Sequence, residues 1–176
     1  MRLSAYGCDR TQVPLPLLLP GAQEPSYHDH LAEVIGVVVG DQQRLAQGRL
    51  PLAVRPAGLP YSPWELLEHL RITQRDILDF CRDPGYSERK WPDDYWPTPD
   101  EPPTPEAWER SVAGFREDRD ALMKLAGDPA VDLFSRIPHG SGQTYLREIL
   151  LVADHNAYHL GEIVAVRRLL GAWPSS

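Results

Sequence analysis

The placement of proline is the feature that most limits how this chain can fold. Proline interrupts a helix interior because it lacks the backbone N–H and its ring clashes with the preceding turn. The chain has 18 prolines among 176 residues, about twice the usual share of roughly 5%. They leave four long stretches free of proline, each long enough for a helix of several turns: residues 26–50, 64–83, 106–128 and 139–173.

Apolar residues recur at helical spacing in each of these stretches. In the last one, the main stripe consists of Leu146, Ile149, Leu150, Ala153, Ala157, Leu160 and Val164. A second apolar side consists of Leu151, Val152, Ile163 and Val166. A helix that is apolar on most faces is buried or contacts several neighbours, which predicts a central position or a place in an oligomer interface. The sequence predicts an all-α fold, most simply a four-helix bundle with long proline-rich connections, the densest at residues 91–105.

Charge and cysteine usage narrow the class of protein. The net charge of −7 disfavours binding to nucleic acid or to an anionic membrane surface, because both depend on neutralising phosphates. Cys8 and Cys81 are far apart in the sequence, which is not the pattern of a disulfide scaffold. The early apolar run at residues 15–19 is broken by Pro16 and is too short for a membrane span or a convincing signal peptide. We therefore expect a cytoplasmic protein.

The histidines are the main chemical feature of the sequence. His155 and His159 are four residues apart on the best-supported helix, so their Cβ atoms lie about 6 Å apart on one face. Two imidazoles in that arrangement can bind one metal ion, as in the helical HExxH zinc motif. Here the residue after His155 is Asn156, so the glutamate of that motif is missing. The continuing apolar side of the helix indicates that the pair points inward.

A third ligand must come from another helix. His69, in the stretch 64–83, is the natural candidate, because it lies beside Leu70 in an amphipathic pattern. The alternative for His69 is a boundary histidine that is hydrogen-bonded to a backbone carbonyl. We interpret the remaining histidines as solvated, capping or loop residues: His28, His30 and His139.

Several motifs together resemble the DinB-like (DinB/YfiT-type) superfamily of metal-dependent proteins. Residues 153–163, with the letters ADHNAYHLGEI, and residues 167–173, RRLLGAW, resemble the last helix of that family. Residues 137–144, IPHGSGQT, lead into it. Residues 62–70, SPWELLEHL, resemble the second helix, and the WP and YWP motifs within residues 91–97 resemble its proline-aromatic connection.

The resemblance covers residues 26–174, which we interpret as one DinB-like four-helix domain. Residues 1–25 are an N-terminal extension without assignment. The resemblance implies a divalent metal ion held by three histidines, which map to His69, His155 and His159. It also implies a homodimer and an association with the stress response.

Three neutral histidines leave coordination positions open, as in catalytic zinc sites. Such a metal can activate water for hydrolysis or bind a thiol as its thiolate. The resemblance allows both a metal-dependent hydrolase and a transferase of low-molecular-weight thiols, acting on a small molecule. Ligation by imidazole alone suits several metals; we place zinc or nickel ahead of iron or copper.

Two carboxylates are candidates for a catalytic proton acceptor. Glu148 precedes His155 by about two helical turns, and Glu65 precedes His69 by about one, so each shares a face with a histidine. The alternative for both is a solvated or salt-bridged carboxylate. Asp154 and Glu162 flank the histidine pair, and we predict that they accept hydrogen bonds from ring N–H groups.

Three classes of function remain open at this point. The first is the metal-dependent enzyme. The second is a non-catalytic, stress-associated bundle in which the metal or the histidines are structural. The third is a metal-free helical interaction protein whose histidines are satisfied by hydrogen bonds.

Overall fold

The computed structural model describes residues 51–104 and 106–172, which contain three α-helices, one short 3-10 helix and no strand. The helices are α1 (Pro63–Arg82), the 3-10 helix (Asp93–Tyr95), α2 (Ala107–Ala126) and α3 (Tyr145–Leu169). The predicted all-α fold is confirmed for these residues. The stretch 26–50, and with it the predicted fourth helix, lies outside them. No helix in the described part of the chain is both long and apolar enough to cross a membrane.

The start of α1 is fixed by a capping box. The Ser62 hydroxyl accepts a hydrogen bond from the N–H of Glu65 at 3.2 Å, and the Glu65 carboxylate accepts one from the N–H of Ser62 at 2.8 Å. These bonds satisfy two N–H groups near the helix start. Pro63 occupies the first helical position, where its missing N–H costs nothing. The cap therefore determines where the histidine-bearing helix begins.

The last proline-free stretch opens with a turn, and α3 begins only at Tyr145. The turn is closed by a hydrogen bond from the N–H of Ile137 to the carbonyl of Gln143 at 2.9 Å. At the other end, Gly171 adopts a left-handed conformation with φ of 67° just after the helix. Glycine tolerates that conformation without strain, so Gly171 is suited to the end of the helix.

The central helix among the described three is α1, which packs against both α2 and α3. Leu66 and Leu70 of α1 are fully buried. Full burial of one such side chain stabilises the fold by about 1.5–3 kcal/mol. The cluster around them comprises Leu66, Leu70, Phe115, Ala126, Leu133, Ile149, Ile163 and Val166. The apolar core thus lies along the buried faces of α1.

A buried polar chain crosses this core and joins all three helices. Gln74 of α1 donates to the carbonyl of Phe115 in α2 at 2.8 Å, and Asn156 of α3 donates to the side-chain oxygen of Gln74 at 3.0 Å. Both side chains are almost completely buried. Losing a buried partner costs more than the bond itself contributes, so such a chain favours one register of the helices. Because Asn156 follows His155 directly, this register also sets how α3 presents its histidines.

The second apolar side predicted for α3 is buried in part. Its buried members are Val152, Ile163 and Val166. The exposed large apolar side chains of α3 are Leu150, Leu151, Tyr158 and Leu169. The helix therefore has one face in the described core and another face that the described residues do not cover.

Candidate metal centre

Three histidines from two helices meet at one point of the α1–α3 interface. His69 comes from α1, and His155 and His159 come from successive turns of α3. One ring nitrogen from each lies within 4.8 Å of the others. His69 and His159 are buried, and His155 is half-buried. We call these residues the histidine cluster.

The connection between α1 and α2 selects the tautomer of His69. Its Nδ1 lies 2.8 Å from the carbonyl oxygen of Tyr95. A carbonyl oxygen can only accept a hydrogen bond, so Nδ1 carries the proton and Nε2 keeps its lone pair. The predicted alternative, a histidine bound to a backbone carbonyl, is therefore realised at Nδ1, and it leaves Nε2 available for a ligand.

Glu162 selects the tautomer of His159, which lies one turn earlier on α3. The Glu162 carboxylate lies 2.6 Å from Nδ1 of His159. Nδ1 must donate to this carboxylate, so in the neutral ring the lone pair of His159 is on Nε2. The predicted role of Glu162 as an acceptor for a ring N–H is confirmed, whereas Asp154 is exposed to solvent.

The donor set of the cluster suits a metal ion. Nε2 of His155 lies 3.1 Å from Nε2 of His69. Two ring nitrogens that face each other cannot both present lone pairs unless a proton or a cation lies between them. Neutral imidazole nitrogens are ordinary ligands of zinc, nickel, copper and iron. The residues present therefore fit the metal ion that the three-histidine pattern implies.

Burial keeps two histidines of the cluster, His69 and His155, in their metal-binding protonation state. Burial, together with the neighbouring His159 and His69, lowers the pKa of His155 to about 4. Burial also lowers the pKa of His69, which outweighs the opposing effect of its bond to Tyr95. Both imidazoles are therefore neutral at neutral pH, which is the form that binds metals.

An aromatic stack covers His69 from the side of the connection. The ring of Trp96 lies parallel to the imidazole, with the centroids 4.0 Å apart and the planes inclined by 4°. Tyr61 stacks on Trp96 at 4.1 Å and 16°. The imidazole plane is thus held by one ring that is itself supported by a second.

The sequence profile of the DinB superfamily matches residues 51–163, which is more than half of the chain. The matched range includes the three histidines of the cluster. The chain belongs to the DinB superfamily. No curated protein and no solved structure matches it. Among the residues that the structure describes in this DinB-superfamily chain, the histidine cluster is a group that could hold a metal ion.

Glu65, the first catalytic candidate, is engaged at the start of α1. Its carboxylate accepts bonds from Ser62 and from Arg55, whose Nε lies 2.8 Å away. Burial raises the pKa of Glu65, but the bonds from Arg55 and Ser62 outweigh it, so the net pKa lies below its usual range. A carboxylate held this way accepts a further proton poorly. Its observed contacts are those of a helix cap.

Glu148, the second candidate of this DinB-superfamily chain, is buried and forms an ion pair with Arg147. It lines a cavity of about 580 Å³ in the groove between α1 and α3. Thr73, one turn after His69, and Leu151, one turn before His155, also line this cavity, and the three histidines are not part of the lining. Glu148 therefore faces a space beside the cluster.

The other histidines lie apart from the cluster. Nε2 of His139 donates to the carbonyl of Phe80 at 2.6 Å, which satisfies an open carbonyl in the last turn of α1. This position agrees with its interpretation as a loop residue. His28 and His30 lie outside the described residues.

Sequence reasoning did not identify Tyr95, Trp96 and Tyr61 as neighbours of His69. The pairing of one particular ring with one particular histidine depends on tertiary structure, and no spacing in the sequence encodes it.

Proposed function

We propose that this DinB-superfamily chain binds one divalent metal ion through His69, His155 and His159 and is a metal-dependent enzyme that acts on a small molecule. The single observation that carries the proposal is the convergence of three imidazole nitrogens within 4.8 Å, with two of the rings oriented through Nδ1. Nitrogen-only ligation suits zinc, nickel, iron and copper alike; zinc or nickel is proposed first, and iron or copper is the alternative.

The proposed reaction is hydrolysis or the transfer of a low-molecular-weight thiol. When bound, the ion would act as a Lewis acid that lowers the pKa of a water molecule or a thiol. Tyr95 and Glu162 keep two of the rings oriented. Glu148 is the proposed proton acceptor, because it is buried and lines the cavity beside the cluster. Glu65 is a second candidate, which its contacts with Ser62 and Arg55 support less well.

Metal content tests the proposal directly. The full chain is purified without a histidine tag, and its metals are measured by mass spectrometry beside His69→Ala, His159→Ala and the control His139→Ala. We expect about one equivalent in the wild type and in His139→Ala, and none in the two cluster variants. An absence of metal in the wild type after incubation with zinc and with nickel would leave the interaction protein as the better reading.

The alternative function is a structural metal in a non-catalytic, stress-associated bundle. The observation that favours it is that the cluster connects α1 to α3, so an ion there would link two helices. Removal of the ion by a chelator separates the two functions. Loss of the helical circular dichroism signal on removal indicates a structural ion. A preserved fold with an open metal site supports the enzyme.

The remaining proposals concern the whole protein. We propose that residues 26–50 supply a fourth helix, because their apolar residues recur at helical spacing. We also propose a cytoplasmic homodimer, supported by the exposed apolar side chains of α3 and by the separated cysteines. Light scattering coupled to size exclusion measures the mass of the assembly, and a monomer at micromolar concentration contradicts the dimer.

A further inference from the structure

The connection between α1 and α2 is hydrogen-bonded to one side of α1 at three positions. The hydroxyl of Tyr95 donates to Asp76 at 2.7 Å, its carbonyl accepts from His69, and the indole N–H of Trp64 donates to the carbonyl of Pro99 at 3.3 Å. Trp96 lies between the residues of the connection that make these hydrogen bonds, Tyr95 and Pro99. Its ring is therefore placed on His69 by the backbone around it and not by the stacking contact alone.

Trp96 is positioned to respond to the electron density of the His69 ring. The faces of the two rings are parallel at 4.0 Å, and Tyr61 supports the other face of the indole. The face of an indole is electron-rich and attracts electron-poor or cationic groups more strongly than neutral ones. A divalent ion on Nε2 withdraws electron density from the imidazole, so the stack is stronger when His69 binds a metal.

We propose that Trp96 is a positioning residue that raises the affinity of the histidine cluster for a divalent metal through this charge-sensitive stack. The proposal rests on the proposed function in one respect, namely that the cluster binds a metal. It adds a specific residue and a coupling between the metal and the connection that carries Trp96.

The coupling must act in both directions. If the stack tightens metal binding, the metal must stabilise the stacked position of Trp96 by the same factor. Metal binding is therefore expected to slow amide hydrogen exchange in residues 94–98, in addition to the amides around the three ligands. Trp91, in the same connection but 69% exposed, provides a position that should not share this effect.

A substitution series measures the contribution to affinity. Zinc dissociation constants are determined by competition with a chromophoric chelator for the full-length wild type, Trp96→Phe, Trp96→Leu and the control Trp91→Leu. We expect Trp96→Leu to weaken zinc binding by about tenfold, the lower range for partners that orient a metal ligand. Trp96→Phe should be intermediate, since its ring attracts cations less strongly, and Trp91→Leu should match the wild type.

Fluorinated tryptophan separates electronic effects from packing. Incorporation of 5-fluorotryptophan lowers the electron density of the indole face and leaves its shape nearly unchanged. We expect it to weaken zinc binding by about twofold in the wild-type sequence. In Trp96→Phe, the same label is present only at the other four tryptophans, and it should have no effect on zinc affinity. This measurement remains decisive if Trp96→Leu loses its fold.

The outcomes distinguish the inference from the proposed function. Equal zinc affinity in all variants and in the fluorinated protein, with normal binding by the wild type, overturns the role of Trp96 and leaves the metal site standing. A loss with Trp96→Leu but no effect of fluorine shows a packing role and also overturns the inference. A wild type that binds no zinc overturns both proposals.

Discussion

Two buried polar regions lie two turns apart on the same helix, and they are built in opposite ways. One is the histidine cluster at His69. The other is the Asp76 centre, which consists of Asp76, Tyr86, Arg89 and Tyr95. His69 and Asp76 are each less than a tenth exposed. Tyr95 contacts both, through its carbonyl at His69 and its hydroxyl at Asp76.

In the Asp76 centre, donors and acceptors match. The carboxylate accepts from the hydroxyl of Tyr86 at 3.1 Å and from that of Tyr95 at 2.7 Å, and Nε of Arg89 lies 3.3 Å away. In the histidine cluster, three ring nitrogens converge on one another instead. The difference teaches that burial of a polar group does not by itself mark a functional site. A matched group is complete, whereas converging lone pairs require a proton or a cation.

The largest expected effect is on metal binding. His155→Ala removes one of three proposed ligands, and we expect zinc affinity to fall by more than about 100-fold, beyond the range for partners that only orient a ligand. Isothermal titration measures this in the full-length protein. Asp76→Ala is the matched test of the other region, and its zinc stoichiometry should remain at that of the wild type. Loss of metal in both variants would erase the distinction between the two regions.

The second effect is on folding. Asp76→Ala leaves two tyrosine hydroxyls and an arginine without their acceptor, and we expect the free energy of unfolding to fall by about 1–3 kcal/mol. Urea unfolding of the metal-free protein, followed by circular dichroism, measures this change. His155→Ala should change the free energy of unfolding of the metal-free protein less, because the ring that it removes is only half-buried and lies beside two other imidazoles. The reverse order would contradict the structural role of the Asp76 centre.

The third effect is a loss of stability in acid that comes from the histidine cluster. The pKa of His155 is about 4 in the folded chain, below the ordinary value of 6.5. The unfolded chain therefore binds a proton at a higher pH, and the metal-free protein loses stability as the pH falls from about 6.5 toward 4. The urea midpoint as a function of pH should fall less steeply in His155→Gln. An identical slope would show that other groups determine the acid limb.

The smallest effect is a loss of stability in alkali, and it comes from the Asp76 centre. Burial, together with Asp76, raises the pKa of Tyr86 to about 12 from 10. The unfolded chain loses this proton first, so stability is complete below pH 10 and is lost as the pH rises toward 12. Because Tyr86 is partly exposed, the effect is reduced by solvent screening. Tyr86→Phe should flatten the alkaline limb of the same urea series and leave the acid limb unchanged.

The sequence predicts much of the helical framework because proline acts locally. Three of the four proline-free stretches correspond to α1, α2 and α3, with α1 starting one residue earlier at Pro63. The start of α3 is later than the proline pattern alone indicates, since the turn at residues 137–143 depends on a hydrogen bond that periodicity does not encode. The His155 and His159 pair is also a local pattern. The addition of His69 required an amphipathic helix and a family resemblance.

Glu65 carries a capping signal in the sequence, although it is predicted above as a catalytic proton acceptor. Ser62 and Glu65 have the three-residue spacing of a capping box, and that spacing alone predicts a carboxylate bound at the helix start. By contrast, no local signal leads from Trp96 to His69. Their contact joins residues on different elements, so it depends on how the connection returns along α1.

The bond between His69 and Tyr95 uses a main-chain oxygen, which no side-chain substitution can delete. The orientation of His69 is thereby a property of the path of the chain, whereas that of His159 depends on the single side chain of Glu162. Anyone who transplants the three histidines onto another helical scaffold would carry over the ligands but leave this orientation behind. A faithful graft must include the proline-aromatic connection as a fourth component of the site.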